Sequence, residues 1–277
     1  MCGEPGMNYA RTRVRRIVGR AMPGLRGLWY GYKEWRFRTM LDNFISDFGL
    51  VVQNGPFRGL KYLPESTGSS LLPKLLGTYE AALHPVLASV LQRPYDNVIN
   101  IGCAEGYYAV GLAQRLPGVP VIAFDTNPRA REMCARLADL NGVTNQLTIL
   151  GECTPEVLAG FIGNRSLIIC DCEGYEAELL DPDLMEGLNR CDLIVELHPL
   201  INAAIPDLFE GRFKQSHKSS LVHAKREGNY QELKVFKWFD RRLATYEERS
   251  GFYGLWAVLM PGVGDSVRGR KTSVARQ

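Results

Sequence analysis

Val98-Ile99-Asn100-Ile101-Gly102-Cys103-Ala104-Glu105-Gly106-Tyr107 is the most informative stretch of this chain. A short apolar run ends in a glycine. A second glycine, four positions on, opens Tyr107–Leu116, whose apolar residues recur at helical spacing. A glycine at the end of a strand lets the chain turn sharply and lets a ligand approach the backbone. The dinucleotide fingerprint has the form G-x-G-x-x-G. The spacing here lacks its middle glycine, which argues against a pyrophosphate and hence against NAD or FAD.

The same strand, loop and helix pattern repeats on both sides of this stretch. Strands are expected at Asn97–Ile101, Pro120–Phe124, Gln146–Leu150, Leu167–Asp171 and Asp192–Leu197. Helices are expected at Tyr107–Leu116, Pro128–Leu140, Pro155–Ile162, Tyr175–Leu188 and Ile205–Glu210. Short, continuously apolar strands are those covered on both faces. Strands and helices in alternation imply a parallel sheet with right-handed crossovers. Ser220–Ala224 and Phe252–Met260 are the two further strand candidates. The expected fold is therefore α/β: a doubly wound, mostly parallel, seven-stranded sheet spanning residues 76–261.

An N-terminal region, residues 1–75, precedes it. Its first part reads as two helices between Asn8 and Ser46, broken around Pro23-Gly24 and Gly27. Arginines crowd the first of these, and Trp29, Tyr30, Tyr32, Trp35 and Phe37 follow. A β-hairpin is expected where Asn54-Gly55-Pro56 separates Gly49–Gln53 from Phe57–Tyr62. Helical spacing resumes at Leu71–Leu76 and Tyr79–Leu91. Residues 262–277, rich in Gly, Ser and Arg, read as a disordered tail.

Composition narrows the class. The chain has 277 residues, 45% of them hydrophobic, and a formal net charge of +3. The charge is uneven: residues 41–261 hold 20 Lys and Arg against 27 Asp and Glu, and both ends are basic. An acidic core disfavours nucleic acid as a partner, since such binding needs a coherent basic surface. The basic and aromatic N-terminus leaves peripheral membrane contact open, and a homo-oligomer is equally open. No apolar run approaches the roughly 20 residues of a membrane span. The N-terminus also lacks the apolar core of a signal peptide, so a cytoplasmic location is expected. Seven cysteines without a CxxC pair suit packed small hydrophobes better than zinc or disulfides.

In such a sheet, ligands sit outside the carboxyl ends of the strands. After the first strand lie Asn100, Gly102, Cys103, Ala104, Glu105, Gly106 and Tyr107, the expected cofactor loop. After the second come Asp125, Thr126 and Asn127. Asp125 stands about 20 residues past the loop, where a carboxylate can accept from both hydroxyls of a ribose; capping the helix at Pro128 is its alternative role. Glu152 and Cys153 follow the third strand, beside the expected adenine edge. Asp171 and Glu173 follow the fourth, and Glu196 and His198 close the fifth. Two ionisable groups at each of two adjacent strand ends form the most suggestive constellation in the chain. Glu176 and Glu178 read as solvated carboxylates on the polar side of the next helix.

These segments together resemble class I S-adenosylmethionine-dependent methyltransferases of the FkbM-like type. Val98–Ala113, the Asp125 segment, Asp171-Cys172-Glu173-Gly174 and Glu196-Leu197-His198 carry the resemblance, with the last two the more specific part. It covers about residues 76–200. Gly77-Thr78-Tyr79-Glu80 also looks like a segment found in relatives, and makes Glu80 a second candidate for the methionine ammonium. The resemblance implies S-adenosylmethionine as cofactor and O-methylation of a hydroxyl on a small molecule or saccharide. An acid commonly ends the first strand in such enzymes, where this chain has Asn100.

His198 is the expected general base, having the one side chain whose ordinary pKa is near neutrality. Asp171, Glu173 and Glu196 could orient it, act in its place, or join it in holding a divalent metal. The segment Phe213–Arg242, basic and aromatic, is a candidate cover for the substrate pocket. A nucleotide-dependent oxidoreductase, a noncatalytic cofactor-binding protein and an RNA methyltransferase are the competing readings.

Overall fold

The computed structural model describes residues 23–223, Ala244 and residues 254–262. In chain order the elements are α1 (Pro23–Phe48), α2 (Leu71–Leu76), α3 (His84–Val90), β1 (Asn97–Ile101), α4 (Tyr107–Arg115), β2 (Val121–Phe124), α5 (Pro128–Leu140), β3 (Leu147–Leu150), α6 (Pro155–Ala159), β4 (Ser166–Cys170), α7 (Glu176–Leu179), β5 (Asp192–Leu197), α8 (Ile205–Phe213), β6 (His217–His223) and β7 (Leu255–Pro261). The seven strands form one sheet in the order β3-β2-β1-β4-β5-β7-β6. The first five are parallel, while β7 runs antiparallel to both β5 and β6. The order reverses between β1 and β4, so the switch point lies at the carboxyl ends of these two strands.

Alternation along the strands builds two cores, one on each face of the sheet. Val98, Val121, Ala123, Leu167, Ile169 and Ile194 enter one core, together with α4, α5 and buried residues of the 40–76 segment. Ile99, Ile101, Ile122, Phe124, Ile168, Leu193 and Val195 enter the other, with α8. Asn100 and Glu196 share the period of the first set, which puts both polar side chains on the face covered by the N-terminal segment.

Several expectations change in detail. The helix expected to break at Gly27 runs on through it, with Pro23 as its first residue. Proline is favoured at that position because its missing N–H is unpaired there anyway. The expected hairpin reduces to one bridge, Val51 with Lys61. The intervening chain is spent on tight turns at Gly55–Arg58 and Phe57–Leu60. The helix expected over Tyr175–Leu188 stops at Leu179. There Asp181 accepts from Asp183 N and pairs with Arg212 at 2.8 Å, and Pro182 has no N–H to continue the helix. Arg212 also donates to the carbonyls of Ala177 and Leu180, capping that end. β6 begins earlier than expected. It is an edge strand whose outward residues are polar, so no apolar run announces it. The 262–277 tail, save Gly262, and residues 224–242 of the candidate cover lie outside the described residues. Among those described, no helix is long and apolar enough to cross a membrane.

The 62–74 segment is fastened to the loop after β1 by charge. Lys74 and Glu105 form an ion pair with relative side-chain exposures of 2% and 0%. Tyr62 donates to Glu105 at 2.6 Å, Ser66 at 2.7 Å and the Thr67 amide at 3.3 Å. Burial opposes ionisation of Glu105, but Lys74 and the two hydroxyls outweigh it and hold the carboxyl below its ordinary range. The Lys74 ammonium also lies 5.1 Å from the Tyr79 ring. Removing one partner leaves the other buried and uncompensated, a loss of about 3–5 kcal/mol. Lys74→Met and Glu105→Gln should each cost that much in urea unfolding, and the double substitution should cost clearly less than their sum. Additive losses would show that the pair does not act as a unit.

Candidate active site

Two adjoining clefts open at the switch point. The first, about 210 Å³, is lined by Asn100, Gly102, Cys103, Ala104, Glu105, Tyr107, Asp125, Asn127, Asp171 and Glu173, together with Thr67, Gly68, Ser69, Lys74, Tyr79 and Tyr108. The second, about 400 Å³, is lined by Ile101, Phe124, Thr126, Gly151, Glu152, Cys153, Cys172 and Tyr175, and shares Gly102, Asp125, Asp171 and Glu173 with the first. Their volumes together match those of small-molecule sites. The second cleft has the more apolar walls.

The glycine loop is shaped by close approach. Gly102 has φ +76°, and a Cβ there would lie 1.7 Å from the Asp171 carbonyl oxygen. Any side chain at this position would force the β1 and β4 ends apart. The loop also spends its donors internally. Gly102 N and Cys103 N both donate to Phe124 O at 2.9 Å, Gly106 N donates to Cys103 O at 2.8 Å, and Ala104 N donates to Asp125 Oδ2 at 2.8 Å. Phosphate-binding loops work by turning such N–H groups toward the ligand. Here four of these groups, those of Gly102, Cys103, Ala104 and Gly106, are bonded within the protein.

Asp125 has a structural duty beside its expected one. Its two oxygens accept from Ala104 N and from Asn127 N, both at 2.8 Å, so it holds the loop in place while facing both clefts. A carboxylate oxygen has a further lone pair for a ribose hydroxyl. Asn127 caps α5 through Arg129 N. Asn100 is buried and donates its amide to Ile169 O at 3.3 Å. A carbonyl can only accept, so this bond assigns the amide orientation. It leaves Oδ1 buried at the cleft wall without a partner among the described residues.

Other expected residues are placed differently. The carboxylate of Glu105 is consumed by the Lys74 pair. Glu80 is left-handed at φ +46°, buried, and bonded by the Tyr108 hydroxyl, so Tyr108 rather than Glu80 lines the cleft. Gly106 lies behind the cleft, where a Cβ would press on Cys134 Sγ at 2.8 Å. The Cys103 thiol is pushed upward by its contact with Cys134 and by burial, so it stays protonated.

The strand-end groups do converge. His198 Nε2 is 3.6 Å from Asp171 Oδ1 and 3.3 Å from Glu173 Oε2. Asp171, Glu196 and His198 each bring one ligand atom within 4.8 Å of the others, a spacing at which a divalent ion could be held. Asp171 and Glu173 also line the clefts, which makes them the link between the clefts and His198.

One residue was misread in the sequence. Glu176 is not solvated: it is fully buried, with Oε1 at 2.9 Å from His198 Nδ1. The same oxygen accepts from Cys172 N and Gly174 N, each at 3.1 Å. Its position three residues past Glu173, on a four-residue helix, gave no amphipathic pattern to betray this. Lys74 and its neighbours Thr67–Ser69 were missed as well, although a lone lysine inside Leu71-Leu72-Pro73-Lys74-Leu75-Leu76 was a usable signal.

Burial works against a charged His198, but Glu176, then Asp171 and Glu173, outweigh it and raise its pKa above the ordinary value. Burial likewise opposes ionisation of Glu176, and His198 with the Gly174 amide reverses that, so its carboxyl sits low.

No family model matches the chain, and no curated protein matches it. Among solved structures, the chain is similar to the O-methyltransferase TomG from Streptomyces achromogenes, in complex with SAM. The TM-score is 0.44 at 13% identity, covering 67% of this chain and 81% of that one. It is also similar to precorrin-6y C5,15-methyltransferase from Geobacter metallireducens GS-15 (TM-score 0.44, 13% identity, 64% and 88% covered). A third similar structure is the human methyltransferase 10 domain containing protein (TM-score 0.44, 12% identity, 82% and 97% covered).

Proposed function

We propose that this chain is an S-adenosylmethionine-dependent methyltransferase of the FkbM-like type, acting on a hydroxyl of a small molecule or saccharide. The charge of the clefts carries the reading. Asp125, Glu152, Asp171 and Glu173 line them, and Lys74, the one cation among the described lining residues, is paired with Glu105. With four of its loop N–H groups bonded within the protein and acids on its walls, this is a poor site for a pyrophosphate and a good one for a cation. A sulfonium and an ammonium are the cations S-adenosylmethionine would bring, and its sulfonium methyl is the electrophile it would supply.

The residues present fit that group. Asn100 Oδ1 is a buried acceptor lacking a protein donor, suited to an ammonium. Asp125 can accept from a ribose. Phe124, Ile101, Cys153 and Tyr175 give the second cleft apolar walls for a purine. The acceptor would lie beside Asp171, within reach of His198. When bound, S-adenosylmethionine would supply an electrophilic methyl group to the acceptor oxygen and leave as the neutral thioether. His198 Nε2 would take the hydroxyl proton. Asp171 and Glu173, between the clefts and the imidazole, hold the acceptor in place, and orientation of this kind is worth up to about 7–11 kcal/mol.

Titration calorimetry with S-adenosylmethionine and with NAD tests the assignment directly. S-adenosylmethionine should bind and NAD should not; the reverse result overturns the reading. Asp125→Asn should weaken S-adenosylmethionine binding about 10- to 100-fold, the equivalent of losing one or two hydrogen bonds to a charged group.

His198→Ala should lower methyl transfer about 10²- to 10⁴-fold, the usual contribution of a general base. Affinity for S-adenosylmethionine should stay unchanged. Undiminished turnover, followed as release of S-adenosylhomocysteine, would remove His198 from the reaction.

A further inference from the structure

We propose that Cys170 and Cys172 are a reversible redox pair: a peroxide oxidises Cys172, Cys170 resolves it to a disulfide, and the bridge distorts the site through Asp171, which lies between them. The bridge rests on the geometry of the two sulfurs. Its effect on S-adenosylmethionine rests on the function proposed above.

Five of the six described cysteines are buried, as packed small hydrophobes should be. Cys172 is the exception: it is half-buried and lines the second cleft. Its Sγ lies 3.5 Å from that of Cys170. Residues two apart in a strand point to the same face, which brings the two sulfurs together. Cys170 itself is the last residue of β4 and fully buried. An accessible thiol beside a shielded one is the layout of a sensor cysteine with its resolving partner.

The chemistry balances with a peroxide as oxidant. The Cys172 sulfur attacks a peroxide oxygen, the O–O bond breaks, and water leaves with the thiol proton. Cys172 is then a sulfenic acid. The Cys170 sulfur displaces its hydroxyl: the S–S bond forms, the S–O bond breaks, and the hydroxyl departs as water with the Cys170 proton. The peroxide gains the electrons that the two thiols lose. A dithiol reductant reverses the bond by exchange and returns both protons.

Sequence neighbours of this kind are bridged under strain. Two residues of extended chain span at most about 7 Å, the outer limit of what a disulfide joins. Closing the bond therefore pulls the chain out of extension at Asp171. A strained bond is readily reduced, which suits a switch better than a staple. Asp171 cannot shift alone. Its amide donates to Ile101 O at 2.9 Å, and its carbonyl oxygen is the atom that leaves no room for a Cβ on Gly102. Its side chain lines both clefts. Oxidation next to it is thus transmitted to the glycine loop and to the wall that the clefts share.

Residues 166–190 form one tryptic peptide holding these two cysteines and no other. After treatment of the whole protein with excess hydrogen peroxide, this peptide should be lighter by its two thiol hydrogens, and dithiothreitol should restore its mass. Calorimetry should show S-adenosylmethionine affinity lowered about tenfold or more in the oxidised protein, the loss of one contact to a charged group, and recovered on reduction. Hydrogen exchange at the Gly102 and Cys103 amides should quicken on oxidation and slow again on reduction, a readout that needs no ligand. In Cys170→Ser no bridge can form, and the same treatment should leave affinity within about threefold of its untreated value. The wild-type measurements decide the matter should that variant not fold. A link from Cys172 to Cys153, its neighbour on the cleft wall, overturns the pairing, and so does oxidation of Cys172 to oxyacids without a bridge. An equal loss of affinity in Cys170→Ser, or a bridge that leaves exchange unchanged, overturns the coupling through Asp171. If the bridge forms, reverts and loosens the loop while the reduced protein fails to bind S-adenosylmethionine, the redox pair stands and the methyltransferase reading falls.

Discussion

The pair between Lys74 and Glu105 is the constraint on which the site depends. Glu105 sits in the middle of the glycine loop, between left-handed Ala104 and left-handed Gly106. Backbone bonds and Asp125 hold part of that loop, and the Glu105 side chain is anchored from the N-terminal segment. The anchor is a lysine from α2, assisted by Tyr62 and Ser66. Burying two charges is expensive, and apolar residues of similar volume often serve stability equally well. What the pair adds is registry: it holds the segment whose Thr67, Gly68 and Ser69 line the first cleft. The N-terminal segment is therefore one wall of the first cleft, sharing its core with β1, β2 and β4.

Much of this was legible in the sequence wherever period and position coincide. The five parallel strands announce themselves as apolar runs because both faces are covered, and the residues following them were named as site candidates for that reason alone. Gly102, Asp125, Asp171, Glu173 and His198 all fall around the switch point. What stayed hidden was hidden for physical reasons. Glu105 and Glu80 lie in the expected loop and helix, but their side chains are claimed by Lys74 and Tyr108. These are contacts across 31 and 28 residues that no local pattern encodes. Glu176 looked solvated because a glutamate at the start of a helix usually is. Only the left-handed turn before it, invisible in residue types apart from Gly174, reverses its direction.

The sheet also shows what a buried acid looks like when its work is structural. Asp192 opens β5, at the amino end, and is as deeply buried as Glu176. Arg93 meets both its oxygens, at 3.0 and 2.9 Å, and Tyr95 donates at 2.5 Å. Every partner is a fixed cation or hydroxyl, so the arrangement is closed and joins the chain before β1 to the start of β5. At the carboxyl end of the same strand the partner is a histidine, whose charge can come and go near neutral pH. A closed acid at one end and a titratable one at the other is the division that the ligand-at-the-carboxyl-end rule leads one to expect.

That contrast bears on why His198 is surrounded by so many carboxylates. Glu176 is fully enclosed, with Oε1 2.9 Å from His198 Nδ1. Asp171 and Glu173 face the clefts and, with Glu176, raise the basicity of His198. Under the function proposed above, a positively charged donor would be attracted to the same acid-lined side. The acidic surroundings would then compensate positive charge on a bound donor and on the imidazole alike, the arrangement of an electrostatic site that need not reorganise between the two.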